Sequence, residues 1–247
     1  MTILVTGGTK GLGRETALRF ATPGNDVFVN YRSDDAAAEW TAAEIRARGA
    51  VPHLVRADVG TIAGARAAVA AVADVTDELG QLVHCAVDTG TAGPILEMDP
   101  EGFARAVQCN ASALIPLVQS ALPLFRRGSA VVFVSSRGSQ AVVPGYGAVG
   151  PPKLLGEILI SYLAVELAPL GVRANTVAAS TLDTEALRAV LTDAEAEKRL
   201  ARATELNPSG RRVEIAEVVD AIEFLCSDRA TMVQGQRLNV DGGFYLR

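Results

Sequence analysis

TILVTGGTKGLGRETALRF, residues 2–20, decides the fold. Its first five residues are a short apolar run rich in β-branched side chains, the composition of a buried strand. Its end, Arg14 to Phe20, has the amphipathic spacing of a helix. Between them Gly7, Gly8, Gly11 and Gly13 place four glycines in seven residues, more than a plain strand-to-helix turn requires. Glycines here let the backbone turn tightly and approach a pyrophosphate, whose charge is favoured at a helix N-terminus. The stretch predicts a dinucleotide-binding β-to-α unit, with Gly7, Thr9, Lys10, Gly11 and Gly13 in its loop.

Outward from this unit the same alternation continues. DVFVNY (26–31) reads as a strand, AAAEWTAAEIRARG (36–49) as a helix stopped by Gly49, and VPHLVRADV (51–59) as a third strand. A helix around 62–78, the strand QLVHCAV (81–87) and a long helix over 101–125 follow. Then come SAVVFVSS (129–136), a very apolar helix over 153–168, VRANTVAA (172–179), a helix near 214–227 and QRLNV (236–240). Seven strand-like runs separated by helices predict an α/β chain with a seven-stranded, parallel, doubly wound Rossmann-like sheet, because parallel neighbours need crossover helices. No repeat, low-complexity tract or linker divides residues 1–247, so the expectation is a single domain. The long segment outside the alternation, about 180–212, has the length of a substrate lid. The charges in DAEAEKRLAR (193–202) fit a solvated helical insertion equally well, and the two readings are compatible.

Composition narrows the function. The 247 residues are 49% hydrophobic and 21% charged, which suits a packed core. A net charge of −5 argues against nucleic acid as a partner. Cys85, Cys109 and Cys226 are widely spaced, with no CxxC, and read as reduced thiols; His53 and His84 show no metal-ligand spacing, so no metal is expected. No cationic leader precedes TILVT, and the apolar runs are too short or too interrupted to span a membrane. The expectation is a soluble cytoplasmic protein.

The second strand ends in Asn30, Tyr31 and Arg32, where an NAD site usually carries an acidic residue for the ribose hydroxyls. Arg32 and Lys10 together suit a 2′-phosphate, so the expected cofactor is NADP(H). Arg32 also has a blander reading as a solvated charge, partly offset by Asp34 and Asp35. Asp58, after the third strand, has two readings: acceptor for the adenine amino group, or helix cap.

The motifs TGGTKGLG, ADV (57–59), Asn110, VSS (134–136), Lys153, VRANTV and VDGG (240–243) fall in an order that resembles the short-chain dehydrogenase/reductase family from end to end. The second half, with YGAVGPPK (146–153), SYLAVELAPLGVRANTV, LDTEAL, NPSGR and GQRLNVDGG, is most similar to enoyl-acyl-carrier-protein reductase III. The resemblance implies reduction of an enoyl thioester, linked to acyl carrier protein or CoA, by hydride transfer from NADPH to the β-carbon. It implies Tyr146 and Lys153 as the catalytic pair, Ser136 beside them, and Asn110 holding the lysine in place. It adds Leu12, Val59, Ala86 and Thr184 to the cofactor site, and homodimers or homotetramers. The chain departs from the family pattern at HCAV (84–87), at the DTGTAG loop (88–93), at Ala179-Ser180 and at Pro151-Pro152.

Position is the point of interest in YGAVGPPK. A one-turn pair would place the tyrosine four residues before Lys153, but Val149 stands there and Tyr146 stands seven before. A ketoreductase puts a proton on the carbonyl whose carbon takes the hydride. In an enoyl reductase the charge develops on the thioester oxygen, two carbons further away, so its donor belongs further from the nicotinamide. The prolines predict a helix starting near 150–152 with Tyr146 outside it. Lys153 is expected to reach the nicotinamide ribose and to lower the tyrosine pKa. Ser135 and Ser139 are alternatives to Ser136, and His84 reads as a satisfied strand-end histidine. Two rival functions remain: a ketoreductase of a polyketide or other carbonyl metabolite, and a non-catalytic cofactor-binding regulator. LLGEILISYLAVELA is apolar on nearly every side, which predicts a homo-oligomer.

Overall fold

In the computed structural model residues 1–90 and 93–246 are described; Thr91 and Ala92, inside the DTGTAG loop, lie outside them. Strand β1 (Thr2–Thr6) is buried along its whole length, as a run with a neighbour on each side must be. It pairs in parallel with β2 (Asp26–Tyr31) and with β4 (Gln81–His84). Beyond β2 lies β3 (Val51–Arg56); beyond β4 lie β5 (Ala130–Ser136), β6 (Arg173–Ala179) and β7 (Arg237–Val240). The order is β3-β2-β1-β4-β5-β6-β7, every pairing parallel, as the alternation predicts. The chain reverses its direction of travel between β1 and β4. Open α/β sheets bind ligands at such a switch point, outside the carboxyl ends of the strands.

The two sheet faces have separate cores. Leu4, Phe28, Leu82 and Phe133 pack against α3 (Ile62–Ala73), α5 (Leu114–Ala121) and α6 (Gly150–Leu167). Ile3, Val5, Val29 and Val132 point the other way, against α1 (Gly11–Arg19), α2 (Asp35–Ala47) and α9 (Ile215–Cys226). Strand periodicity of two divides the apolar residues between these layers.

The long helix read over 101–125 is not continuous. α4 (Pro100–Val107) runs into a π-turn, Gln108–Ser112, before α5 begins. In a regular helix the ring of Pro116 would meet the carbonyl of Ser112. The wide turn stands directly ahead of that proline, and it turns Asn110 into the protein interior, fully buried. α6 starts at Gly150 with both prolines in its first turn and Tyr146 outside, as their geometry predicts.

The segment 180–212 folds into α7 (Glu185–Val190) and α8 (Asp193–Leu206). Thr192 and Glu195 form a capping box at the start of α8, and Ala196, Leu200 and Ala203 form its buried stripe. Asp183 accepts from Arg188 at 2.9 and 3.0 Å and stands 3.9 Å from Arg212, near the two ends of the segment. No helix among the described residues is long and apolar enough to cross a membrane, and no described cluster of His, Cys, Asp and Glu could hold a metal ion. On the outer face of α6, Leu155, Ile158, Tyr162 and Val165 are exposed.

Candidate active site

A cleft of about 780 Å³ opens over the carboxyl ends of β1, β4, β5 and β6. It brings together every site residue read from the sequence except Asn110: Gly7 to Gly13 on the glycine loop, Arg32, Asp58, Val59, Ala86, Ser136, Tyr146, Lys153 and Thr184. Gly13 is required by close approach. A Cβ there would stand 2.2 Å from the carbonyl oxygen of Gly7, so only glycine lets α1 begin against the loop.

At one end of the cleft lie paired charges. Lys10 is 2.6 Å from Asp34 and 3.4 Å from Glu185 on α7, and these contacts raise its pKa. Arg32, exposed beside them, forms no ion pair with a described residue. Asp35 is taken up instead by Arg56 at 3.2 Å and the Tyr31 hydroxyl at 2.9 Å. The Asp58 carboxylate accepts from Gly60 N–H at 2.9 Å, and the cap of α3 is Thr61, so the capping reading of Asp58 is corrected: it shapes the turn before the cap. Thr184 caps α7 and lies beside Gly11.

At the other end stand Tyr146, Ser136 and Lys153. Tyr146 is half-buried, and its ring lies over Gly138, where a Cβ would stand 2.5 Å from it. Burial pushes the phenol pKa up; the Ser136 hydroxyl beside it and the Arg199 guanidinium act in the opposite direction. Lys153 is buried, its ammonium donates to the Val134 carbonyl at 2.7 Å, and burial pushes its pKa down to about 8. The expectation that Lys153 lowers the tyrosine pKa is therefore corrected: burial dominates, and the cation that opposes it is Arg199 of α8. Ser135, which also lines the cleft, and Ser139 have their hydroxyls engaged elsewhere. Both are buried and donate to Glu157 on α6, at 2.5 and 2.6 Å, which leaves Ser136 beside the tyrosine.

Among the described residues Asn110 makes no direct side-chain hydrogen bond to Lys153. Its amide nitrogen donates to Asp88 O at 3.0 Å and Ala148 O at 3.1 Å, and its oxygen accepts from Asp88 N–H at 2.6 Å. It ties the loop after β4 to the loop carrying Tyr146, because the π-turn aims it between them. His84 is fully buried, as expected of a satisfied histidine. Its Nε2 stands 3.0 Å from Cys109 O, a carbonyl that can only accept, so Nε2 carries the proton and Nδ1 accepts from the Thr6 hydroxyl at 2.7 Å. The three thiols are free; burial raises them, Cys85 and Cys226 to about 12 and Cys109 to about 11, so they remain protonated.

Sequence reading missed two groups. Glu157 is buried against Arg237 at 3.0 Å and anchors the serines behind the site; a carboxylate inside the apolar helix 153–168 was the available signal. Arg199 and Arg202 line the cleft from α8, and Arg137 stacks 4.3 Å above Phe244, which also lines it. Nothing local in the sequence separates these arginines from the other charges of the segment.

The family described as Enoyl-(Acyl carrier protein) reductase matches residues 7–245. The 1-cyclohexenylcarbonyl-CoA reductase of Streptomyces collinus is 32% identical over 98% of this chain and 86% of its own. The 3-oxoacyl-[acyl-carrier-protein] reductase of Staphylococcus aureus is 28% identical over 98% of this chain and 97% of its own. The angucycline C-6 ketoreductase LanV, solved with bound NADP, superposes with a TM-score of 0.88 at 26% identity, covering 100% of this chain and 96% of its own. The chain belongs to the short-chain dehydrogenase/reductase family and is an oxidoreductase that takes a nicotinamide cofactor.

The His84 environment generates a pH prediction. Burial first, then the nearby Lys153 charge, pushes its pKa from 6.5 down to about 3. The unfolded chain therefore binds a proton that the folded chain excludes between those values, and stability falls as pH drops from about 6.5 toward 3. Urea unfolding across that range is expected to show a shallower acid loss in His84→Asn than in the parent. Identical slopes would remove this histidine from the acid response.

Proposed function

We propose that this chain reduces the double bond of an enoyl thioester, linked to CoA or an acyl carrier protein, with NADPH. The observation that carries the reading is the station of Tyr146: outside α6, over Gly138 and beside Ser136, while the one-turn position before Lys153 is filled by Val149, buried and unable to donate. The coenzyme, when bound, supplies the hydride.

The cleft suits a dinucleotide, since the glycine loop admits close approach and Arg32 has no carboxylate partner among the described residues. Arg32 and Lys10 would hold the 2′-phosphate. The Lys10 pairs are about half exposed and screened by solvent, so a phosphate dianion competes with them. Lys153, fixed by Val134 O and held as a buried cation, would grip the ribose. Ser136 orients the phenol of Tyr146, which holds its proton until charge has moved onto the thioester oxygen. α7 and α8 act as a lid over the acyl end, where Leu187 and Leu206 line the cleft. The exposed face of α6 is covered by a second copy of the chain.

A second reading, ketone reduction, is favoured by the full-length likeness to the Staphylococcus reductase. NADPH oxidation with crotonyl-CoA and acetoacetyl-CoA side by side separates the two; turnover of the ketone alone overturns the first. Tyr146→Phe is expected to leave NADPH affinity unchanged and to lower turnover by about 100- to 1,000-fold. Wild-type turnover in that variant would remove the tyrosine from the mechanism. Arg32→Asp should weaken NADPH far more than NADH, because it replaces a charge-assisted contact by repulsion; equal weakening would count against the 2′-phosphate assignment. Sedimentation should give a mass of at least a dimer, and Ile158→Glu with Val165→Glu should give a monomer; a monomeric parent would refute the assembly.

A further inference from the structure

Arg199 sits on the buried side of α8, four residues past the charged start of the helix, and lines the cleft beside Tyr146. Its guanidinium donates to Pro144 O at 3.3 Å, two residues before the tyrosine. Among the described residues it forms no ion pair, unlike Arg188 and Arg202, which are neutralised by carboxylates at 2.8 Å. The tyrosine loop is held besides by its own turn, with Tyr146 N–H bonded to Val143 O at 3.1 Å and Gly150 N–H to Tyr146 O at 2.8 Å, by Gly93 N–H on Gly145 O at 3.2 Å, and by Asn110 on Ala148 O.

We propose that Arg199 is a positioning residue for Tyr146, carried on α8, which holds a fixed positive charge beside the phenol and so supports its proton transfer. The proposal rests on the reading of Tyr146 as the proton donor. In that step the phenol O–H breaks and its proton passes to the enolate formed by hydride addition at the β-carbon. The phenolate left behind carries the negative charge, and solvent returns the proton. A phenolate in a half-buried site requires a cation, and four other groups of the site do not supply it. Ser136, from the end of β5, is neutral. The ammonium of Lys153, from α6, donates to Val134 O and is assigned to the nicotinamide ribose. Glu157, also on α6, is taken up by Ser135, Ser139 and Arg237, and would act in the wrong direction. Arg137, on the turn after β5, stacks on Phe244. The acyl end of the cleft has no carboxylate in its lining, Asp34, Asp58 and Glu185 all standing at the cofactor end; Glu195, one turn before Arg199, is felt by it but is taken up by the Thr192 cap.

The experiment compares Arg199→Gln and Arg199→Lys with the parent and with Tyr146→Phe. The substrates are the CoA ester and the uncharged N-acetylcysteamine thioester of whichever acyl group, crotonyl or acetoacetyl, is turned over. The glutamine variant should lose about tenfold in kcat on both esters, a fraction of the 100- to 10,000-fold available from general acid catalysis. KM and NADPH affinity should hold, and the lysine variant should recover most of the rate. In protein labelled at the tyrosine ring carbons, the Tyr146 resonance, identified by its absence from Tyr146→Phe, should titrate at higher pH in Arg199→Gln than in the parent. An unchanged titration, even with a slower rate, would overturn the proposal, as would a wild-type kcat. A rise in KM confined to the CoA ester would overturn it too and assign Arg199 to the carrier's phosphates. Full activity in Tyr146→Phe would instead sink the donor reading itself, an outcome seen independently of the arginine variants.

Discussion

The placement of the site depends on one buried side chain. Asn110 joins the loop after β4 to the loop before α6 through three hydrogen bonds, all to backbone groups. Those loops carry Ala86 to one side of the cleft and Tyr146 to the other. Removing the amide would strand buried backbone partners at roughly 1–3 kcal/mol each, so the arrangement is held far more firmly than a surface loop needs. Asn110 reaches both loops only because the helix widens at Gln108–Ser112. The widening makes Ala113 N–H bond to Gln108 O at 2.8 Å, passing over Cys109. The Cys109 carbonyl receives His84 Nε2–H instead. His84 and the π-turn therefore belong together: without the imidazole that carbonyl, and then the Asn110 station, would be less well determined.

This arrangement explains which parts of the molecule were legible in the sequence. The seven strands were legible because each is an apolar run of fixed period bounded by turns, and parallel order follows from the helices between them. The glycine loop was legible because Gly13 has no substitute at a 2.2 Å approach. The start of α6 was legible because proline restricts the backbone ahead of it. In each case a local steric rule acts on neighbouring residues. The role of Asn110 was legible only as a likeness, without its backbone partners. Its partners are 22 and 38 residues away, and the turn that aims it arises from Pro116, further along the helix. The same holds for Lys153 and Tyr146. Their separation in sequence fixes who stands outside the helix, but burial decides which pKa moves and in which direction.

The charges of the cleft are sorted in a way that no single motif records. At the cofactor end cations and carboxylates alternate, with Lys10 shared between Asp34 and Glu185, and Arg32 beside them. Such exposed pairs are weak, and a strongly charged ligand can replace them without leaving a buried charge uncompensated. At the acyl end the lining is apolar with arginines and no carboxylate. There the only negative charge that can develop is one made by the reaction or brought by the substrate. A cation stationed beside a forming enolate or phenolate helps most where water is excluded, because the screening that weakens surface pairs is absent.

The segment 180–212 links the two ends. α7 meets the glycine loop through Glu185 and Thr184, while α8 meets the tyrosine loop through Arg199. Asp183 and Arg212 join the ends of the segment on the outer side. A ligand that takes Lys10 away from Glu185 releases one contact of α7 without touching those of α8. The buried stripe Ala196, Leu200 and Ala203 keeps α8 seated, since apolar burial is indifferent to which ions are bound. The segment thus has an electrostatic hold at the cofactor end and a hydrophobic one at the acyl end. Motion on cofactor binding is expected to concentrate in α7, while α8 remains the fixed wall against which the tyrosine works.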